Sequence, residues 1–152
     1  MPLKRWRTAW KHGETGRTYQ ETHPEVSLSL LRSSLPTYLE APLLRLRTFS
    51  TNLNGDNLWK AARSEEFNPA CECGSPRETA EHVVLECNLL TDQREQMVRS
   101  IRAAFIDAEV PMQHRMIDWF TLLGGEKAFS EAMCRDLDRA VALFLVSSGR
   151  DF

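Results

Sequence analysis

Three of the four cysteines and one of the four histidines fall within seventeen residues, in the array Cys71-x-Cys73-x8-His82-x4-Cys87. Thiolate and imidazole are the ligands Zn2+ prefers, and three sulfurs with one nitrogen complete a tetrahedron that leaves no position for water or substrate. A site of that composition is structural, so the array predicts a fold built around a metal-tied turn. Only one residue separates Cys71 from Cys73, a closer spacing than is usual in zinc sites, and both sulfurs must converge from a tight turn. Gly74 and Pro76 supply the turn chemistry. Thr79 is placed to cap a helix carrying His82, Val83, Val84 and Leu85. His82 and Cys87 would stand about 140° apart on an ideal helix. The helix therefore has to end or loosen near Glu86 if both are to reach one ion.

Two other uses of these thiols compete. Cysteines can be buried as small hydrophobes with His82 a core histidine, but Cys71, Glu72 and Cys73 lie in a polar, turn-rich stretch without apolar periodicity. A disulfide is the second. With no signal peptide and an Asp/Glu-rich second half, the chain is expected to be intracellular, in cytoplasm or nucleus, where thiols stay reduced.

The 152 residues, 42% of them hydrophobic, suffice to bury one core. The expected organisation is a basic, Trp-containing arm over 1–25 followed by a single helical domain over 26–152 that contains the zinc knuckle, 71–87. The net charge of −2 conceals an asymmetry. Residues 1–63 carry ten basic against five acidic side chains, and residues 64–152 nine against sixteen. The first half then suits an acidic partner, or the two halves fold against each other. No apolar run approaches the roughly 18 residues that cross a bilayer.

Patterning predicts an all-α, mainly helical domain. Leu28 to Leu35 is an apolar stretch closed by Pro36, and Tyr38 to Arg47 carries leucines at helical spacing around Pro42. Asn54-Gly55-Asp56 reads as a turn and cap for a short helix over 57–63. Asp92 is expected to cap a helix to about Ala108 with Met97, Val98, Ile101, Ala104 and Phe105 inward. A helix over 112–123 would bury Met116, Ile117, Phe120 and Leu123 before stopping at Gly124-Gly125. The last would run from about Lys127 to Val146, burying Phe129, Met133, Leu137, Val141, Phe144 and Leu145. Its tail, apolar nearly all round, calls for central burial or a partner's groove.

Over roughly 6–97 the chain resembles the segment that follows the RNase H domain at the carboxyl end of fungal non-LTR (LINE-type) retrotransposon polyproteins. The matching residues are Trp10-Lys-His-Gly with Thr15-Gly16-Arg17, Leu44-Arg45-Leu46-Arg47-Thr48, Thr51-Asn52-Leu53-Asn54, Leu58-Trp59-Lys60, Cys71-Glu-Cys73-Gly74, Glu78 to Cys87, and Arg94. Leu122-Leu123-Gly124-Gly125 before a long helix is similar to the end of those polyproteins, less specifically. The resemblance implies a non-enzymatic accessory tail with a zinc site and a role in nucleic-acid engagement. It also places reverse transcriptase and RNase H, with their Mg2+-binding carboxylates, upstream of such a segment.

Three functions follow as expectations. Lys4, Arg5, Arg7, Lys11 and Arg17 interleave with Trp6 and Trp10, so cations can neutralise phosphates while indoles stack on unpaired bases of single-stranded RNA or DNA. The same tryptophans could instead dock the arm on the core. A captured retroelement fragment serving as a protein–protein interaction module, such as a pathogen effector, is the alternative, with the acidic half and the apolar last helix as its face. Met1 opening on a linker segment motivates that reading. Catalysis has the weakest basis, because His12, His23, His114, Cys134 and the scattered carboxylates show no spacing that an acid/base or nucleophile arrangement needs.

Overall fold

The computed structural model of the chain describes residues 12, 35–57, 63, 67–124 and 129–152. These residues are mainly helical, and no strand occurs among them. The elements are α1 (Thr37–Thr48), α2 (Ala80–Leu85), α3 (Thr91–Asp107), α4 (Trp119–Leu122) and α5 (Glu131–Ser147), with 3-10 turns at Asn88–Leu90 and Met112–His114.

Helix α1 starts after Pro36, whose φ of −56° leads into a helix, and places Leu39, Leu43 and Leu46 on one buried stripe. It ends at Phe49, in the left-handed region at φ 55°, with the Ser50 N–H donating back to the Arg45 carbonyl at 3.0 Å. A left-handed non-glycine residue costs about 1 kcal/mol or more. The Phe49 ring meets the edge of Trp119 with centroids 6.3 Å apart, a contact that offsets part of this. Leu44 lies on the solvent side of α1 because the buried stripe runs through 39, 43 and 46.

The long helices α3 and α5 pack on each other, and α1 packs on α5. Met97, Ile101, Ala104 and Phe105 of α3 face Met133, Leu137, Ala140, Val141, Phe144 and Leu145 of α5 in one buried core. Two ends differ from the sequence expectation. Asp92 sits inside the first turn of α3, because the 3-10 turn with buried Leu90 feeds straight into the helix and leaves its start without a side-chain cap. Helix α5 begins at Glu131, where Ser130 Oγ accepts from the Met133 N–H at 3.2 Å, and Phe129 precedes it, packed against Phe105.

The helix expected over 112–123 is not formed as one piece. Arg115 Nε donates to the Val110 carbonyl at 2.6 Å, and the Asp118 side chain accepts from the Thr121 N–H at 2.8 Å, starting a separate helix at Trp119. Met116 and Phe120 are consequently exposed, while Leu122 and Leu123 reach the core. The apolar stretch over 28–35 and the expected helix over 57–63 lie, apart from residues 35, 57 and 63, outside the described residues. No helix among the described residues is long and apolar enough to cross a membrane.

Candidate metal centre

Cys71 opens a reverse turn in which the Gly74 N–H donates to its carbonyl at 2.9 Å and its own N–H donates to the Ser75 carbonyl at 2.9 Å. Gly74 holds φ +94°, a conformation glycine adopts without a Cβ penalty. The turn thus brings both thiols to one side. Thr79 Oγ1 accepts from the His82 N–H at 3.2 Å and starts α2 as its sequence indicates. The helix stops after Leu85: Glu86 leaves helical geometry at φ −121°, and the N–H groups of Glu86 and Cys87 both donate to the His82 carbonyl at 2.8 Å. This widened last turn swings Cys87 back beneath His82.

The donor atoms of Cys71, Cys73, His82 and Cys87 all lie within 4.8 Å of one another. Cys71 Sγ is 3.8 Å from Cys87 Sγ, and Cys73 Sγ is 3.2 Å from His82 Nε2. In a tetrahedron with Zn–S bonds of about 2.3 Å and Zn–N bonds of about 2.0 Å, neighbouring donors stand about 3.5–3.8 Å apart. The four side chains therefore form a group that can hold a metal ion and is compatible with zinc. Cys71 and Cys87 are buried, and His82 Nδ1 lies 3.4 Å from Glu86 Oε2, leaving Nε2 as the inward donor. Burial pushes the Cys71 thiol up to about 11, while the hydrogen bond from the Ser75 main chain pulls Cys73 down to about 7. His114 is not among the converging donors. Cys134 stands apart in α5, half-buried, its thiol pushed up by burial.

Residues that the cysteine array does not reveal hold the centre in place. Asp56 Oδ2 accepts from the N–H of Ala80, the first residue of α2, at 3.0 Å and from Thr51 Oγ1 at 2.7 Å. Asp56 therefore serves the start of α2; the helix over 57–63 that the sequence expects it to cap lies, apart from residues 57 and 63, outside the described residues. The Gly55 N–H donates to the Glu78 carbonyl at 2.9 Å, so close that a Cβ on Gly55 would stand 2.6–2.7 Å from the Glu78 backbone. Arg77 Nη2 returns a bond to the Gly55 carbonyl at 2.9 Å. The stretch 51–56 thus packs along 77–80, with Leu53 buried among Cys71, Val83, Val84 and Cys87 in the same core. On the other side, Arg94 of α3 donates to the Val83 and Val84 carbonyls of α2 and to that of Cys87 just beyond it.

The nucleic-acid residues expected from the sequence, Lys4, Arg5, Trp6, Arg7, Trp10, Lys11 and Arg17, lie outside the described residues, as do Leu58 and Trp59. Compared with protein-family models, curated proteins and solved structures, the chain matches none.

Proposed function

We propose that Cys71, Cys73, His82 and Cys87 hold one zinc ion, and that the helical domain tied by it is a non-enzymatic accessory that binds nucleic acid, akin to the segment after RNase H in fungal LINE-type polyproteins. The convergence of three thiol sulfurs and one imidazole nitrogen within 4.8 Å carries the metal half of this reading. Bound zinc would supply a cross-link between the turn at 71–74 and the end of α2, with no open coordination position for chemistry. The nucleic-acid half rests on the resemblance and on the composition of the arm, where five cations interleave with two indoles.

The experiment is a titration of zinc-loaded full chain with labelled single-stranded RNA, single-stranded DNA and duplex DNA at two salt concentrations. Single strands should bind more tightly than duplex, and affinity should fall as salt rises through counterion release. Replacing Lys4, Arg5, Arg7 and Lys11 by Ala should weaken binding to every sequence and flatten the salt slope by about 0.7 per lost phosphate contact. Trp6→Ala with Trp10→Ala should weaken single strands more than duplex. Unchanged binding by the basic-arm variant would reject the arm as the site.

One observation favours the alternative of a protein-interaction module. Helix α5 buries Ala140, Val141, Ala142, Phe144 and Leu145, yet Leu143 and Val146 on the same apolar tail are 47% and 44% exposed. Absence of nucleic-acid binding by zinc-loaded protein would move the reading to that face.

A further inference from the structure

After α5, Gly149 takes φ +65°, and the three residues that follow it bond to the turn at 71–74, to Glu78, to the loop 51–56 and to α1. The Arg150 guanidinium donates to Glu72 Oε2 at 2.9 Å and to Glu78 Oε1 at 3.2 Å. Asp151 receives two bonds from Asn52, main chain to main chain at 3.0 Å and side chain to side chain at 3.2 Å. Phe152 is buried, and its main-chain oxygen accepts from Arg45 Nη1 at 2.8 Å. Three consecutive residues therefore touch the metal turn, the loop 51–56 and α1.

We infer that Arg150 is a positioning residue for the metal ligands, so that metal binding and docking of residues 150–152 are coupled; this rests on the zinc reading above. Glu72 is the single residue between the first two thiols, and a restraint on it from outside the turn restrains both sulfurs at once. Glu78 is buried, its Oε2 accepts from the Asn54 N–H at 3.3 Å, and its N–H donates to the Pro69 carbonyl at 2.8 Å just before the turn. Arg150 thus joins the turn to the scaffold behind it. Its charge also faces a concentration of negative charge, because three thiolates around a divalent ion leave one net negative charge beside two carboxylates. A turn held in its liganding geometry loses less freedom when metal binds, which raises affinity. Coupling of this kind is reciprocal: metal must strengthen tail docking by the factor by which the tail strengthens metal binding.

Zinc affinity of the full chain, measured by chelator competition, tests this. Arg150→Ala should weaken zinc binding about tenfold or more, within the range found for residues that orient metal ligands. Arg150→Lys should recover part of the loss, and Glu72→Gln, at an exposed side chain whose change leaves the fold intact, should weaken binding in the same direction. The double variant Arg150→Ala/Glu72→Gln should lose less than the product of the two single effects. Asp138→Asn, which breaks the Arg47–Asp138 pair between α1 and α5, should lower Tm yet keep zinc affinity within twofold, separating positioning from general destabilisation. Hydrogen exchange of the Asn52 amide, which bonds to the tail, should speed up when zinc is removed. Affinities within twofold of native for both Arg150→Ala and Glu72→Gln, with the native chain binding zinc, would overturn the inference alone. No zinc bound by the native chain would overturn it together with the reading on which it rests.

Discussion

Arg94 Nη2 donates to the main-chain oxygen of Cys87 at 2.7 Å, so the guanidinium of one helix ties down the chain just past the end of another, at the last of the four converging donors. The same group gives Nε to the Val84 carbonyl at 2.8 Å and a longer bond to that of Val83 at 3.4 Å. The last carbonyls of a helix have no intrahelical partner. In α2, only six residues long, Arg94 supplies what further helix would have supplied.

Arg94→Ala should therefore destabilise the protein by at least about 2 kcal/mol, since bonds to a charged donor contribute about 1.5–3 kcal/mol each. Arg94→Lys should recover little, because an ammonium cannot span carbonyls that a planar fork reaches together. Urea unfolding with zinc present measures both. Native stability in the Arg94→Ala variant would show that the carbonyls find other partners.

Gly55→Ala should cost about 1–3 kcal/mol by overpacking, because the added methyl would meet the Glu78 backbone, which cannot rotate aside. Gly74→Ala tests a different property of the same region. Nothing stands within 4 Å of a Cβ at that site, so the strain comes from φ +94° alone. Thermal melts of both variants should fall below native, and a Gly55→Ala melt equal to native would mean that the 51–56 and 77–80 stretches separate readily.

Much of the candidate metal centre is legible in the sequence because its determinants are local. The Cys71–Gly74 turn, the Thr79 cap and the release of the helix at Glu86 each depend on residues within a few positions of one another. Asp56, Arg94 and Arg150 escape such a reading for the opposite reason. Each acts on a partner distant in sequence, Ala80 for Asp56 and Glu72 for Arg150, and only the packed chain brings them together. The helix expected over 112–123 fails on a related ground: its apolar spacing is helical, but the Asp118 side chain competes for the backbone and restarts the helix at Trp119. Arg94, which the resemblance singles out, takes its physical role from the packing of α3 against the end of α2.

Zinc affinity should rise with pH. In the metal-free protein, burial holds the Cys71 thiol up to about 11, so it is protonated at neutral pH and must lose its proton to bind metal. One proton released corresponds to about a tenfold gain in apparent affinity per pH unit. Cys73, pulled down to about 7 by the Ser75 main chain, adds to the slope below neutrality and ceases to add above it. Chelator competition between pH 6 and pH 8 measures this, and an affinity independent of pH would show that protonated thiols are not displaced.

Zinc content of the purified chain under reducing conditions is the most direct test of the proposed centre. Native protein should carry one zinc per chain and melt at lower temperature once the ion is chelated, because binding free energy at a structural site is folding free energy. Cys71→Ser should lose the metal, while Cys134→Ser, altered in α5 away from the cluster, should keep it. Native protein that takes up no zinc when it is supplied, or Cys71→Ser that retains one zinc per chain, would contradict the assignment.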